Sequence, residues 1–260
     1  MNLTNRTVLI TGGGAGIGLE LARQLAARGN KIIITGRDQA KLDKAAGEIP
    51  GLVGIRSDVS SVKDIDALFE RISKDFPALD VLVNNAGIMK KLNLHDPKPG
   101  LEELTREIEI NLIGAIRMTQ RFLPHLKSRP SAAIVNNTSG LAFVPLPISP
   151  VYCATKAALH SFTLSLRVQL AHTGVKVFEL APPATDTELL HTSDDEDLKG
   201  VSIMKTDAMV AEAIRGIEAD RFEIRPGQAN QLKLMSRLAP DFILKQLSRP
   251  VQRMLAAGPR

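Results

Sequence analysis

Tyr152 and Lys156 stand four residues apart in the stretch SPVYCATKAALHSF (149–162), and Tyr152 is the only tyrosine among 260 residues. On a helix this spacing puts both side chains on one face, about 5–6 Å apart at Cβ. A free phenol has a pKa near ~10, too high for ready proton exchange at neutral pH. A neighbouring ammonium favours the phenolate and is expected to lower that value. Such a pair can act as a general acid and base. Carbonyl reduction needs one, because hydride reaches carbon, charge gathers on oxygen, and a proton must follow. Ser139 lies thirteen residues upstream and offers a hydroxyl to orient the same oxygen. Cys153, the only cysteine, is about 100° round the helix from Tyr152 and reads as a small packed hydrophobe. The five histidines are scattered without ligand spacing, so no metal is expected.

These groups need a scaffold. TVLIT (7–11), KIIITG (31–36), LVGIRSDV (52–59), LDVLVNNAG (79–87), SAAIVNNTSG (131–140) and GVKVFELAPP (174–183) read as buried strands, with RFEIRPG (221–227) as a short last one. Helical spacing fills the intervals at 18–29, 38–49 with Asp38 as a cap, 61–76, 100–129, about 150–172 and 206–219. Apolar strands alternating with helices imply a single-domain, Rossmann-type α/β fold. Its sheet is parallel and doubly wound, about seven strands wide, with helices on both faces. Residues 1–227 form that domain and 228–260 a basic amphipathic extension. The acidic stretch at 184–205 is expected to be a mobile flap.

TGGGAGIG (11–18) joins the first strand to the first helix. Gly12, Gly16 and Gly18 depart from the G-x-G-x-x-G spacing but supply the same physics. They permit a tight turn and let backbone N–H groups at the helix start approach a pyrophosphate. At the end of the second strand, Arg37 follows Gly36, and its fork of donors suits a ribose 2′-phosphate. NADP(H) is therefore favoured over NAD(H).

The chain resembles the short-chain dehydrogenase/reductase family from Thr11 to at least Thr187. The resemblance rests on the glycine spacing, NNAG (84–87), Asn111, Ser139, Tyr152 and Lys156 in the right order and at the right separations. It implies a tetrad of Asn111, Ser139, Tyr152 and Lys156, with Asn111 holding a water on the proton path and Lys156 binding the nicotinamide ribose. It also implies cofactor contacts at Gly12, Gly16, Ile17, Gly18, Asp58, Val59, Asn84, Ala86, Gly87, Tyr152, Lys156 and Thr187. Pro183 stands where the family commonly has glycine, which stiffens that loop. A homodimer or homotetramer through the helices at about 101–129 and 150–172 follows from the same resemblance. The opening and the tail are similar to the DltE-like oxidoreductases within the family.

The expected function is hydride transfer between a nicotinamide cofactor and a carbonyl or secondary alcohol. The apolar LAFVPLPISP (141–150) suggests a substrate with a hydrophobic portion, or else a braced loop. The alternative is a catalytically silent nucleotide sensor or a membrane-associated binding protein on the same fold. The net charge of +5 belongs to the tail, so no nucleic-acid partner is expected. The tail is expected to pack over the pocket or a neighbouring subunit in preference to a membrane surface. No apolar run nears the ~18 residues of a membrane span, no signal peptide is evident, and the cytoplasm is the expected location.

Overall fold

The computed structural model describes residues 1–96, 98–190 and 201–256. Seven parallel strands form one sheet: β1 Thr7–Thr11, β2 Lys31–Gly36, β3 Val53–Arg56, β4 Leu79–Asn84, β5 Ala132–Asn137, β6 Val175–Leu180 and β7 Glu223–Ile224. Their order is β3-β2-β1-β4-β5-β6-β7. The order reverses direction between β1 and β4, and in such sheets the crevice beyond the carboxyl ends at the reversal is where ligands sit.

The strands read as unbroken apolar runs because both faces are covered. Val8 and Ile10 of β1 enter one core, with Leu21 and Leu25 of α1 (Gly16–Ala26), Leu42 of α2 (Gln39–Glu48), and Val210 and Ile214 of α7 (Thr206–Glu218). Leu9, between them, enters the other core. There it joins Ile65 and Ile72 of α3 (Val62–Asp75), Phe122 of α5 (Gly114–Lys127) and Leu166 of α6 (Pro150–Gln169). Alternate side chains of one strand point to opposite faces, so each strand feeds both cores. Asp38 caps α2 by accepting from the Lys41 N–H at 3.2 Å.

The expected single helix over 100–129 is instead three pieces. α4 (Leu101–Ile108) and α5 are joined by a π-helical turn over Glu109–Ile113. No glycine or proline within 109–113 marks the interruption in the sequence, and π-turns of this kind concentrate at functional sites. Asn111 lies in the middle of it.

The middle of the acidic stretch, 191–200, lies outside the described residues. The flanks of the expected flap are ordered. Met204 pairs with Thr185 in a parallel bridge, and the Met204 N–H donates to Ala184 O at 2.9 Å. The tail forms α8 (Ala229–Leu238), α9 (Pro240–Leu247) and α10 (Arg249–Ala256), with Pro240 and Pro250 in the first turns of the last two.

Candidate active site

A cavity of about 630 Å³ opens beyond the carboxyl ends of β1, β4 and β5. Gly12, Gly16, Ile17, Ala86, Gly87, Ser139, Tyr152, Lys156 and Thr187 all line it. A smaller pocket of about 140 Å³ adjoins it, with Gly12, Arg37, Asp58 and Val59 in its wall. Residues spread over 175 positions of sequence therefore meet at one crevice, because every strand delivers its carboxyl end to the same edge of the sheet.

Each catalytic candidate is held from a different element. Ser139 ends the extension of β5, and its Oγ accepts from the Leu141 N–H at 3.1 Å. Tyr152 and Lys156 share the inner face of α6 and are both buried. The Lys156 ammonium donates to Asn137 O at 2.8 Å and lies 5.6 Å from the Tyr152 ring centroid. Asn111 does not line the cavity. Its Nδ2 donates to Ile88 O at 2.8 Å and to Thr155 Oγ1 at 3.1 Å, while its Oδ1 accepts from the Ile88 N–H at 2.8 Å. The Thr155 hydroxyl in turn donates to Tyr152 O at 2.7 Å.

The electrostatics differ from expectation. Burial pushes the Tyr152 phenol up to about 12, opposed by the nearby Ser139 hydroxyl and reinforced by Cys153 and Glu107. Burial also pushes the Lys156 ammonium down to about 8. The phenol is raised where the sequence suggested it would be lowered. The proximity argument counts only the ammonium's field; the cost of placing any charge in this buried site exceeds it. At neutral pH the phenol is consequently protonated, the form that donates. The Cys153 thiol, packed against the Leu146 N–H at 3.1 Å, is pushed by burial up to about 11, which suits an inert packed thiol.

Two expected cofactor contacts fall behind the cavity wall. Asn84 is buried and donates to Thr119 Oγ1 at 3.0 Å and to Asn136 Oδ1 at 2.8 Å, tying β4 to α5 and β5. The residue after it, Asn85, lines the cavity and braces the glycine turn by donating to Thr11 O at 2.9 Å and Gly12 O at 3.1 Å. A strand alternates its faces, so a one-residue step decides which asparagine faces the cavity. Gly18 packs beneath the turn, where a Cβ would lie 2.4 Å from Gly12 O.

The residues fit a nicotinamide dinucleotide. Gly12 has φ +65°, and a Cβ there would stand 2.8 Å from Ala86 Cα. Gly16 has φ +52°, the left-handed region that favours glycine. The hydroxyls of Thr35 and Ser57, both on the wall of the smaller pocket, are buried without a protein partner, as is Asn137 Oδ1 on the larger cavity. Buried polar atoms of this kind call for a ligand or water. Arg37 is exposed at the smaller pocket and has no ion pair among the described residues. Among the described residues no group of histidine, cysteine or acidic side chains has metal-binding geometry.

The apolar stretch 141–150 divides its duties. Leu141, Leu146 and Ile148 line the cavity, together with Met89 and Leu232 of α8. Val144 is buried, and Phe143 meets the His160 ring edge-on at 5.1 Å. Leu232 also covers the serine turn, since a Cβ on Gly140 would lie 3.0 Å from its Cδ1.

Sequence reasoning missed a buried polar group behind Ser139. Glu179 of β6 is fully buried; it accepts from the Thr138 hydroxyl at 2.7 Å and pairs with His160 Nδ1 at 2.8 Å. A lone acid in an apolar strand was the available signal. It needed a partner, and His160, nineteen residues away on α6, could be named only once the helix was packed on the strand.

A parallel sheet in this order, a glycine turn at its switch point, and a serine, tyrosine and lysine on one cavity wall define a dinucleotide-dependent oxidoreductase. The profile of the short chain dehydrogenase family matches residues 6–198, and the chain belongs to that family. It is 44% identical over 251 residues to an uncharacterized oxidoreductase, DltE, of Bacillus subtilis (strain 168), covering 95% of this chain and 98% of that one. Among solved structures, a 3-ketoacyl-(acyl-carrier-protein) reductase from Brucella melitensis complexed with NADH superposes with a TM-score of 0.77 at 30% identity. That match covers 88% of this chain and 100% of the other. A short chain dehydrogenase from Burkholderia cenocepacia in complex with NADP gives 0.81 at 26%, covering 95% and 99%. The chain is an oxidoreductase with a site for a nicotinamide cofactor.

Proposed function

We propose that the chain is an NADPH-preferring reductase of an apolar ketone or aldehyde, with Tyr152 as proton donor. The observation that carries this reading is the single cavity on whose wall Ser139, Tyr152 and Lys156 stand beside the glycine turn. When bound, the reduced cofactor would supply the hydride. Ser139, on the same cavity wall, holds the substrate oxygen against Tyr152. As charge gathers on that oxygen, the phenol O–H breaks and its proton moves to it, leaving an alcohol and a phenolate. Lys156, fixed on Asn137 O, stabilises the phenolate. Asn111, fixed on Ile88 and Thr155, marks the route by which water returns the proton.

The raised phenol keeps Tyr152 protonated at neutral pH, so the form that reduction needs, a proton donor, is the one present in the resting site. Arg37 supports the NADPH preference, since the neighbouring Asp38 is occupied as a helix cap. Leu141, Leu146, Ile148 and Leu232 support an apolar substrate. Leu101 on α4, and Leu164 and Val168 on α6, are exposed; a second copy would cover them in a cytoplasmic homo-oligomer. Tyr152→Phe keeps the ring and removes the proton. NADPH oxidation over a panel of ketones and aldehydes should fall about 10²–10⁴-fold, with NADPH binding retained. A variant that keeps most of its turnover would refute the assignment.

A further inference from the structure

The C-terminal helices have two unlike sides. Inward, Leu232, Leu247 and Pro250 line the cavity. Outward, large apolar side chains stand in solvent: Leu234 is 56% exposed, Leu238 72% and Phe242 55%. Leu234 and Leu238 are one turn apart on α8 and share a face. No residue of α9 or α10 is buried. Clustered exposure of this kind marks a contact surface. Charge accompanies it. Arg237, Lys245 and Arg249 are exposed on the same three helices, and Asp241 is the one acid between 228 and 256.

The charge selects among occupants. An isologous contact sets the same patch against itself, and here it would bring these cations against their own copies. Nucleic acid would neutralise them but offers no apolar phase to Leu238 and Phe242. An anionic lipid surface supplies both, with phosphates for the basic residues and an acyl boundary for the leucines and phenylalanine. Among the described residues no helix is long and apolar enough to cross a membrane, so the contact is peripheral.

We propose that the outer face of α8–α10 docks on an anionic lipid surface. The helices that dock also wall the cavity, which sets a lipid-dissolved substrate beside the site. The test is sedimentation of the full chain with phosphatidylcholine vesicles, with and without phosphatidylglycerol. The protein should pellet with the anionic vesicles at low salt, be released by high salt, and stay in solution with the neutral ones. Arg237→Gln with Arg249→Gln should weaken partitioning about 30-fold, at about five-fold per charge removed near the surface. Leu238→Ser with Phe242→Ser should weaken it at every salt concentration. None of the four lines the cavity, and circular dichroism melting should match wild type. Vesicle binding needs no turnover, so its outcome is independent of the reductase reading. A wild-type chain that stays in solution with anionic vesicles overturns the proposal, as does binding unchanged in both double variants. A wild-type dimer in analytical ultracentrifugation that the Leu238/Phe242 pair dissolves also overturns it, by assigning the face to a second copy.

Discussion

On the proposed mechanism Lys156 serves the site at the expense of the fold, and Lys156→Met separates the two. In the folded chain the ammonium titrates at about 8, against an ordinary value of 10.5, and burial is the cause. A shift of one unit corresponds to about 1.4 kcal/mol, so holding the charge inside at pH 7 costs about 3 kcal/mol. Methionine fills a similar volume without charge. It also removes the hydrogen bond to Asn137 O, a loss of about 1 kcal/mol. The variant should therefore be about 2 kcal/mol more stable at pH 7 while losing turnover, a trade found where catalysis demands a strained group.

The pH dependence gives a sharper test. Below pH 8 the folded and unfolded chains both hold the lysine proton, and the penalty is constant. Between 8 and 10.5 the unfolded chain still binds it and the folded chain does not, so stability rises with pH. Integrated from pH 7 to 9.5, this contributes about 2 kcal/mol in wild type and nothing in the variant. Tyr152 acts in the opposite sense above pH 10, where the unfolded phenol ionises before the folded one, and it does so in both proteins. Urea denaturation of wild type and variant at pH 7 and 9.5 measures the difference. The two stabilities should converge by about 2 kcal/mol over that interval. Parallel curves, or a variant less stable than wild type at pH 7, would show that burial does not depress the lysine.

Arg37→Asp replaces the donor fork at the smaller pocket with a like charge to a 2′-phosphate, and should reverse a preference for NADPH over NADH in paired KM measurements. Losing a charge-assisted hydrogen bond of about 1.5–3 kcal/mol implies a change of roughly 10- to 150-fold; a wild type that binds both cofactors equally would rule out the role of Arg37. Glu179→Leu leaves the Thr138 hydroxyl and His160 without their buried partner and should destabilise the chain by about 3–5 kcal/mol, read as a lowered urea midpoint. Because the phenol sits at about 12, alcohol oxidation should keep rising with pH above 9 while ketone reduction does not; initial rates in both directions across pH 6–10 check this.

The element types and the order of the strands' chemistry were legible in the sequence because they are local properties. An apolar run between turn residues is a strand wherever it lies, and a tyrosine four residues before a lysine shares its helix face before any packing occurs. Hence Gly12, Gly16, Ser139, Tyr152 and Lys156 could be named from their residue types and spacing together with the family resemblance those carry, and all five stand on one cavity. Packing decided the rest. The π-turn that presents Asn111 to Ile88 and Thr155 carries no glycine or proline within 109–113 to mark it, so the stretch reads as one helix. Asn84 and Asn85 exchange roles because the pleat, not composition, sets which faces the crevice. The direction of the Tyr152 shift depends on burial summed over β5, α4 and α6, elements far apart in the chain. Sequence fixes which groups are present and how neighbours are spaced; desolvation and long-range pairing, as between Glu179 and His160, exist only once the helices close over the sheet.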